Sequence, residues 1–187
     1  NAFTELGAKV EFVDHPGELS DFSHIVMPGV GSFPVGMERL NRSGLAEAIC
    51  EEAEKGIPVL GLCLGMHLLG ECGSELGETK GLGLIPGRVG RIPSGHSENL
   101  VPNIGWNMVY PNRDSRLFNN VAAGEAFYFV HSFAYQDSTA SYVLALNDAE
   151  KPMVAAVEQG NIFGLQFHPE KSQKSGLKIL ANFLSLN

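Results

Sequence analysis

Residues 58–70 read PVLGLCLGMHLLG. The first five are short and apolar, as a parallel strand buried on both faces is, and from Leu64 onward the apolar residues fit a buried helix. Between them stands Gly61-Leu62-Cys63-Leu64-Gly65, a cysteine with glycine at each second neighbour. That spacing is the cysteine form of the nucleophile elbow, a strained strand-to-helix turn. Its flanking positions must be small because the two backbones pass close together. Such a turn exposes the sulfur and sets it beside a helix N-terminus, which favours thiolate. The amide of Leu64 then points at any oxyanion formed on a substrate carbonyl. Alone, the motif fits a buried, inert cysteine equally well. A base decides between the two.

Six histidines compete for that role. His15, His24 and His96 fall in turns or at strand entries, which places them on the surface. His168 closes the apolar run NIFGLQF and is followed by Pro169 and Glu170. Sites in parallel sheets collect at the C-terminal ends of strands, where the elbow also lies. Proline fixes the backbone, so Glu170 can fold back and accept a hydrogen bond from the imidazole. That completes a nucleophile–base–acid triad. On its own the segment is a strand-end histidine and a solvated glutamate; beside the elbow it is a base and its orienter.

The rest of the chain is consistent with one domain over residues 1–187, long enough for a sizeable core. A net charge of −8 leaves no basic stripe for phosphates and so argues against a nucleic-acid partner. No apolar run is long enough to span a membrane and no signal peptide is visible. Three cysteines, Cys50, Cys63 and Cys72, form no paired framework, which favours a reducing cytoplasm.

Residues 1–6 read as the tail of a helix stopped by Gly7, residues 9–13 (KVEFV) as a strand, and residues 24–27 (HIVM) as another. The loop PGVGSF at 28–33 can turn backbone amides toward a ligand or serve as an ordinary connection. Helical sequence over 35–40 and 44–55 precedes the elbow, so strands and helices alternate as in βαβ units. Residues 72–110 carry glycines and a polar turn near 94–99, and read as antiparallel strands beside the main sheet. Further strands are expected at 126–135, 142–146, 154–158 and 162–167, and a helix at 172–184 capped by Ser172. The expected fold is α/β: a mostly parallel central sheet with helices on both faces and a small antiparallel excursion.

GLCLGM, PGVGSF and FHPEKS together resemble the class I, triad-type glutamine amidotransferases. More narrowly, PGVGSF, GLGLIPG, VPNIGWN and YFVHSF resemble the glutaminase subunits of imidazole glycerol phosphate synthase, of histidine biosynthesis. The resemblance covers nearly the whole chain. It implies Cys63 as nucleophile, His168 as base and later acid, and Glu170 as orienter. It implies an oxyanion hole from the amide of Leu64 and the loop Gly29, Val30, Gly31. Glu75 and the neighbourhood of Ser132 would hold the polar ends of glutamine. Pro102, Trp106, Tyr128 and Lys171 would meet the partner, a (βα)₈-barrel cyclase bound as a heterodimer and fed with ammonia. No metal or other cofactor is implied.

Three positions depart from that pattern. His67 stands where glutamine is usual and would take over its substrate contact. Asn103 replaces a histidine of the motif P-H-x-G-W-N, and Phe133 stands where tyrosine is common. Against the family the chain also lacks an opening strand and most of a first helix. Other acceptors, such as a sugar or chorismate synthase, stay open, as does a non-catalytic regulatory homologue. A zinc site at Cys63 and His67 with His131 or His168 is a further alternative.

Overall fold

A computed structural model describes residues 2–93 and 101–186. The polar turn expected near 94–99, with His96, lies outside the described residues. The helices are α1 (Ala2–Glu5), α2 (Phe33–Ser43), α3 (Leu45–Glu54), α4 (Leu64–Leu68) and α5 (Gln173–Leu184). The first strands are β1 (Ile25–Met27), β2 (Val59–Leu62), β3 (Cys72–Gly73), β4 (Thr79–Lys80), β5 (Arg88–Arg91) and β6 (Asn103–Pro111). They are followed by β7 (Glu125–His131), β8 (Phe133–Tyr135), β9 (Val143–Asn147), β10 (Val154–Gln159) and β11 (Ile162–Leu165).

The large sheet runs β1-β2-β11-β10-β9-β6-β7, and a small one runs β4-β3-β5-β8. The class is α/β as read, but the large sheet is mixed rather than mostly parallel. Only β1, β2 and β11 pair parallel with their neighbours; from β11 through β10, β9 and β6 to β7 every pairing is antiparallel. The connections are the cause. Two residues join β10 to β11 and six join β9 to β10, whereas a parallel neighbour needs a crossover of about a dozen. In the small sheet β3 and β5 are parallel, and the other pairs are antiparallel as expected.

Residues 9–13 do not form the expected strand. They pair with no strand among the described residues, and Phe12 is 92% exposed. A β-propensity pattern without a neighbouring edge leaves its amides unpaired, so no ladder forms. The apolar run at 126–135 divides at Ser132, β7 joining the large sheet and β8 the small one.

Helices cover both faces of the large sheet. Met37, Ile49, Ala53 and Leu64 of α2, α3 and α4 pack on one side with Val59. On the other, Ile179, Leu180 and Phe183 of α5 pack with Leu60, Phe163 and Leu165. Neighbouring residues of β2 therefore serve opposite cores, as an all-apolar strand buried on both faces requires. Phe127, Phe129 and Phe167 are almost wholly buried, with Phe167 4.2 Å from Phe127 and 5.7 Å from Phe129 between ring centres. At about 1.5–3 kcal/mol for each such side chain, this cluster pins the end of β11.

One register sets the site. Ile162 to Leu165 of β11 lie beside Val59 to Leu62 of β2, residue for residue and in the same direction. Both strands therefore deliver their next residues, Cys63 and Gln166 to His168, at the same end of the sheet.

Candidate active site

Cys63 sits at the junction of β2 and α4 with φ 52° and ψ −108°, a strained backbone for a residue with a Cβ. Its amide donates to the Leu165 carbonyl at 2.8 Å and its carbonyl accepts from His67 at 3.2 Å, so both sides of the turn are tied down. The glycines have a measurable reason. A Cβ on Gly65 would lie 1.8 Å from the Met27 carbonyl oxygen, and one on Gly61 would lie 2.6 Å from the backbone of Gly65 and Met66. Strand β1, strand β2 and helix α4 thus meet through bare backbone. Gly29 of the PGVGSF loop is next to Leu64, its Cβ position 3.1 Å from the Leu64 Cβ. The loop therefore lies against the start of α4; Val30 and Gly31 are exposed on it.

His168 follows β11, and Phe167, one residue earlier, points into the aromatic core. Its Nδ1 donates to Glu170 Oε1 at 2.8 Å. Its Nε2 is buried without a hydrogen-bonded partner. The pKa of His168 is raised to about 9: the adjacent Cys63 sulfur is the largest cause, the Glu170 hydrogen bond follows, and burial opposes both. Because Nε2 makes no formed hydrogen bond, the sulfur acts there by closeness. Burial works to raise the Glu170 carboxyl, but the His168 hydrogen bond and neighbouring positive charge outweigh it and hold it below the usual range. Cys63, His168 and Glu170 are thus gathered at one end of the sheet.

His67, one turn past Cys63 on α4, is buried, and its Nε2 is 2.7 Å from Gln166 Oε1. Burial pushes its pKa down to about 4, against the raising effect of that bond. Gln166 is wholly buried, and its Nε2 is 4.0 Å from Cys63 Sγ. The sequence motifs assign no role to Gln166, although a lone amide in the apolar run NIFGLQF, two residues before the base, marks a side chain turned to the same side. His131 is also buried: Nδ1 donates to the Phe133 carbonyl at 2.8 Å and Nε2 accepts from Asn103 at 2.9 Å. Burial pushes its pKa down to about 4 as well. Among the described residues no three His, Cys, Asp or Glu side chains converge as a metal would need.

His67, Glu75 and Phe133 line one recess with Phe33, Gly73, Ser74 and Val89, too narrow in this structure to admit water. Glu75 Oε2 accepts from the Phe33 amide at 2.8 Å and so caps α2. Ser132 is not among the residues lining the recess; its carbonyl accepts from Ile92. Ser172 differs from its expected capping role. Its hydroxyl donates to the His168 carbonyl at 2.6 Å and accepts from the Tyr128 amide at 3.0 Å, tying β7 to the base. His24 is not a surface residue: it is half-buried, its ring 5.2 Å from that of Phe183. His15 is exposed as expected.

Ile104, Trp106, Met108 and Tyr110 alternate along β6 and are all exposed. Pro102, just before β6, is exposed as well. The Trp106 ring is 6.0 Å from Tyr128, and Lys171 Nζ is 5.8 Å above the Tyr128 ring. Lys171 is the residue after Glu170, so this apolar face and the candidate triad share an edge. Asn103 turns inward, its amide spent on His131 and Asn107. Among the described residues no helix is long and apolar enough to cross a membrane.

A family model described as glutamine amidotransferase class-I matches residues 1–186. The imidazole glycerol phosphate synthase subunit HisH of Moorella thermoacetica is 42% identical over 182 residues, 97% of this chain and 85% of that one. The subunit of the same name from Chlorobaculum tepidum is 44% identical over 183 residues, 97% of this chain and 90% of that one. A crystal structure titled glutamine amidotransferase superposes with a TM-score of 0.75 at 19% identity, covering 99% of this chain and 89% of the other. That last likeness speaks to the fold alone.

Proposed function

The chain belongs to the class-I glutamine amidotransferase family, and on that premise we propose that it is the glutaminase subunit of an imidazole glycerol phosphate synthase, serving histidine biosynthesis. The observation that carries the chemistry is the arrangement of His168. One ring nitrogen is held by Glu170 at 2.8 Å, and the other is buried, unpartnered and beside Cys63. An orienting acid, a base with a free nitrogen and an elbow cysteine are what a thioester mechanism requires.

With its proton held on His168, the sulfur of Cys63 attacks the side-chain amide carbon of glutamine, forming the C–S bond. The carbonyl electrons move onto an oxyanion held by the amide of Leu64 and the loop Gly29, Val30, Gly31. The C–N bond breaks as His168 passes its proton to the departing ammonia, leaving a γ-glutamyl thioester. His168 then takes a proton from water, whose oxygen attacks the thioester carbon. The C–S bond breaks, glutamate leaves, and the sulfur is restored. Glu170 orients the imidazole and stabilises its charged form. Glu75 and the neighbourhood of Ser132 serve the polar ends of glutamine, and the recess that Glu75 lines must open to admit it.

Ammonia released to water is protonated and lost as a nucleophile. The apolar face of β6 supports capture by a partner, and a (βα)₈-barrel cyclase seated on Pro102, Trp106, Tyr128 and Lys171 would receive it directly. Aromatic anchors beside one charge suit such an interface. The contacts of Ser172 join Tyr128 on that face to His168, giving the partner a route to the base. Glutamine hydrolysis by the chain alone, then with a barrel cyclase and its ligand, tests the proposal. If one oxyanion donor is set only by the partner, the isolated chain should be slower by about 10²–10³. Full rate without the partner would contradict the coupling, and no hydrolysis in either state would contradict the function.

A further inference from the structure

A side-chain amide inside an apolar strand is costly unless both its ends are satisfied. Gln166 is wholly buried, and its two ends face different partners: Oε1 accepts from His67 Nε2 at 2.7 Å, and Nε2 points at Cys63 Sγ at 4.0 Å, the outer limit for a hydrogen bond to sulfur. The same sulfur is 3.9 Å from the Val130 carbonyl. These two neighbours pull in opposite directions. A carbonyl can only accept, so it favours a sulfur that keeps its proton. An amide NH₂ can only donate, so it favours one that has given its proton up.

We propose that Gln166 is a positioning residue for the nucleophile, its NH₂ end turned to the Cys63 sulfur by His67, so that His67 acts on the cysteine through Gln166. The inference rests on Cys63 being the nucleophile. The register of β11 on β2 fixes the arrangement, because Leu165 lies beside Leu62 and hydrogen-bonds the Cys63 amide at 2.8 Å. Gln166 therefore cannot move along the strand. What remains free is rotation of its amide, and His67 removes that freedom. A donating Nε2–H on His67 obliges the amide to offer its oxygen there and its NH₂ to the sulfur. An acceptor at position 67 would reverse the amide and bring its oxygen against a developing thiolate.

The titratable groups around the site are His168 with its partner Glu170, His67 with Glu75 across the recess, and His131. Burial keeps His67 and His131 neutral at neutral pH, each with its pKa pushed down to about 4. His168 thus carries the positive charge there, and Gln166 adds a neutral, directed donor. This division also explains how histidine is accommodated one turn past the nucleophile: a neutral imidazole can serve as a fixed donor without bringing a second positive charge to the site.

The experiment is the rate of alkylation of Cys63 by iodoacetamide against pH, in the full chain and in Gln166→Met, His67→Leu and His67→Gln. Gln166→Met and His67→Leu should move the midpoint of the curve upward by about one pH unit, so that alkylation at any pH below the original midpoint slows about tenfold. His67→Gln, whose amide can still donate to Gln166, should retain the original curve. Glutamine turnover should fall with the alkylation rate in the first two variants, and in Gln166→Met, which leaves the lining of the recess untouched, KM should stay within about twofold. Where Gln166→Met fails to fold, the contrast between His67→Leu and His67→Gln carries the test, and identical curves for that pair would overturn the proposal. So would unchanged curves in folded Gln166→Met, or a raised KM with turnover and alkylation intact. A mistaken nucleophile would show itself differently, as glutamine hydrolysis surviving in Cys63→Ala.

Discussion

Adding one methyl group at Gly65 tests whether the elbow is held by backbone contact. In Gly65→Ala the new Cβ would stand 1.8 Å from the Met27 carbonyl oxygen, 2.8 Å from the Met27 carbonyl carbon and 3.3 Å from its Cβ. All three contacts are with one residue at the end of β1, two of them backbone, so no side chain can swing away. Strand β1 and helix α4 must part until the shortest contact exceeds 3.0 Å, a shift of about 1 Å at the turn that carries Cys63 and the Leu64 amide. Overpacking of this kind costs about 3 kcal/mol, the upper end of the usual range. For a chain of this size that lowers Tm by about 6–12 °C. Misplacing a nucleophile by about 1 Å costs a further 10²-fold or so in turnover. Differential scanning calorimetry and a glutamate-release assay read the two effects separately. Gly17→Ala, with nothing within 4 Å of its Cβ position, is the silent control. If Gly65→Ala matched the original chain in both Tm and turnover, the close approach of strand and helix would be wrong, and with it the physical reason for the motif.

Glu170→Gln should leave residual activity, reduced about 10²–10⁴-fold, because it removes the carboxylate that orients and charges His168 without removing the base; an unchanged kcat would remove Glu170 from the mechanism. The proton on His168 should also be visible in stability. Its folded pKa of about 9 lies above the ordinary 6.5, so the stabilisation is complete below pH 6.5 and is lost as pH rises through 9. The Tm gap between the original chain and His168→Gln should therefore shrink across that window. His67 and His131 carry the opposite sign. Their folded pKa values of about 4 give stability that is present above 6.5 and lost as pH falls through 4. Acid unfolding that begins only below that window would contradict their buried neutral state. For the partner face, Trp106→Ala should weaken cyclase binding by about 30-fold, the effect of losing an anchor worth about 2 kcal/mol, as measured by titration calorimetry. Unchanged affinity would place the interface elsewhere.

The elbow, the His168–Glu170 pair and the positions of most strands along the chain were legible in the sequence because each is local. Gly61 and Gly65 flank Cys63 at fixed spacing, and Pro169 and Glu170 follow His168 directly. What was not legible depends on neighbours far along the chain. The stretch KVEFV has the composition of a strand, but composition supplies no edge to pair with. The antiparallel half of the large sheet is set by short connections late in the chain, whereas the alternation of strands and helices is visible only in its first third. Gln166 acquires a role only because β11 lies beside β2, a pairing across about a hundred residues that no local pattern encodes. Likewise the hydroxyl of Ser172, in the position of a helix cap, is spent on Tyr128 and His168 once β7 is packed against the turn.

The central claim is that glutamine is opened by covalent attack of Cys63. The most direct measurement is mass spectrometry of the chain quenched in acid during glutamine turnover. It should reveal a γ-glutamyl group on the peptide that contains Cys63, lost on mild treatment with hydroxylamine and absent from Cys63→Ala, which should not hydrolyse glutamine. An adduct at Cys50 or Cys72 in its place, or hydrolysis continuing in Cys63→Ala, would contradict it.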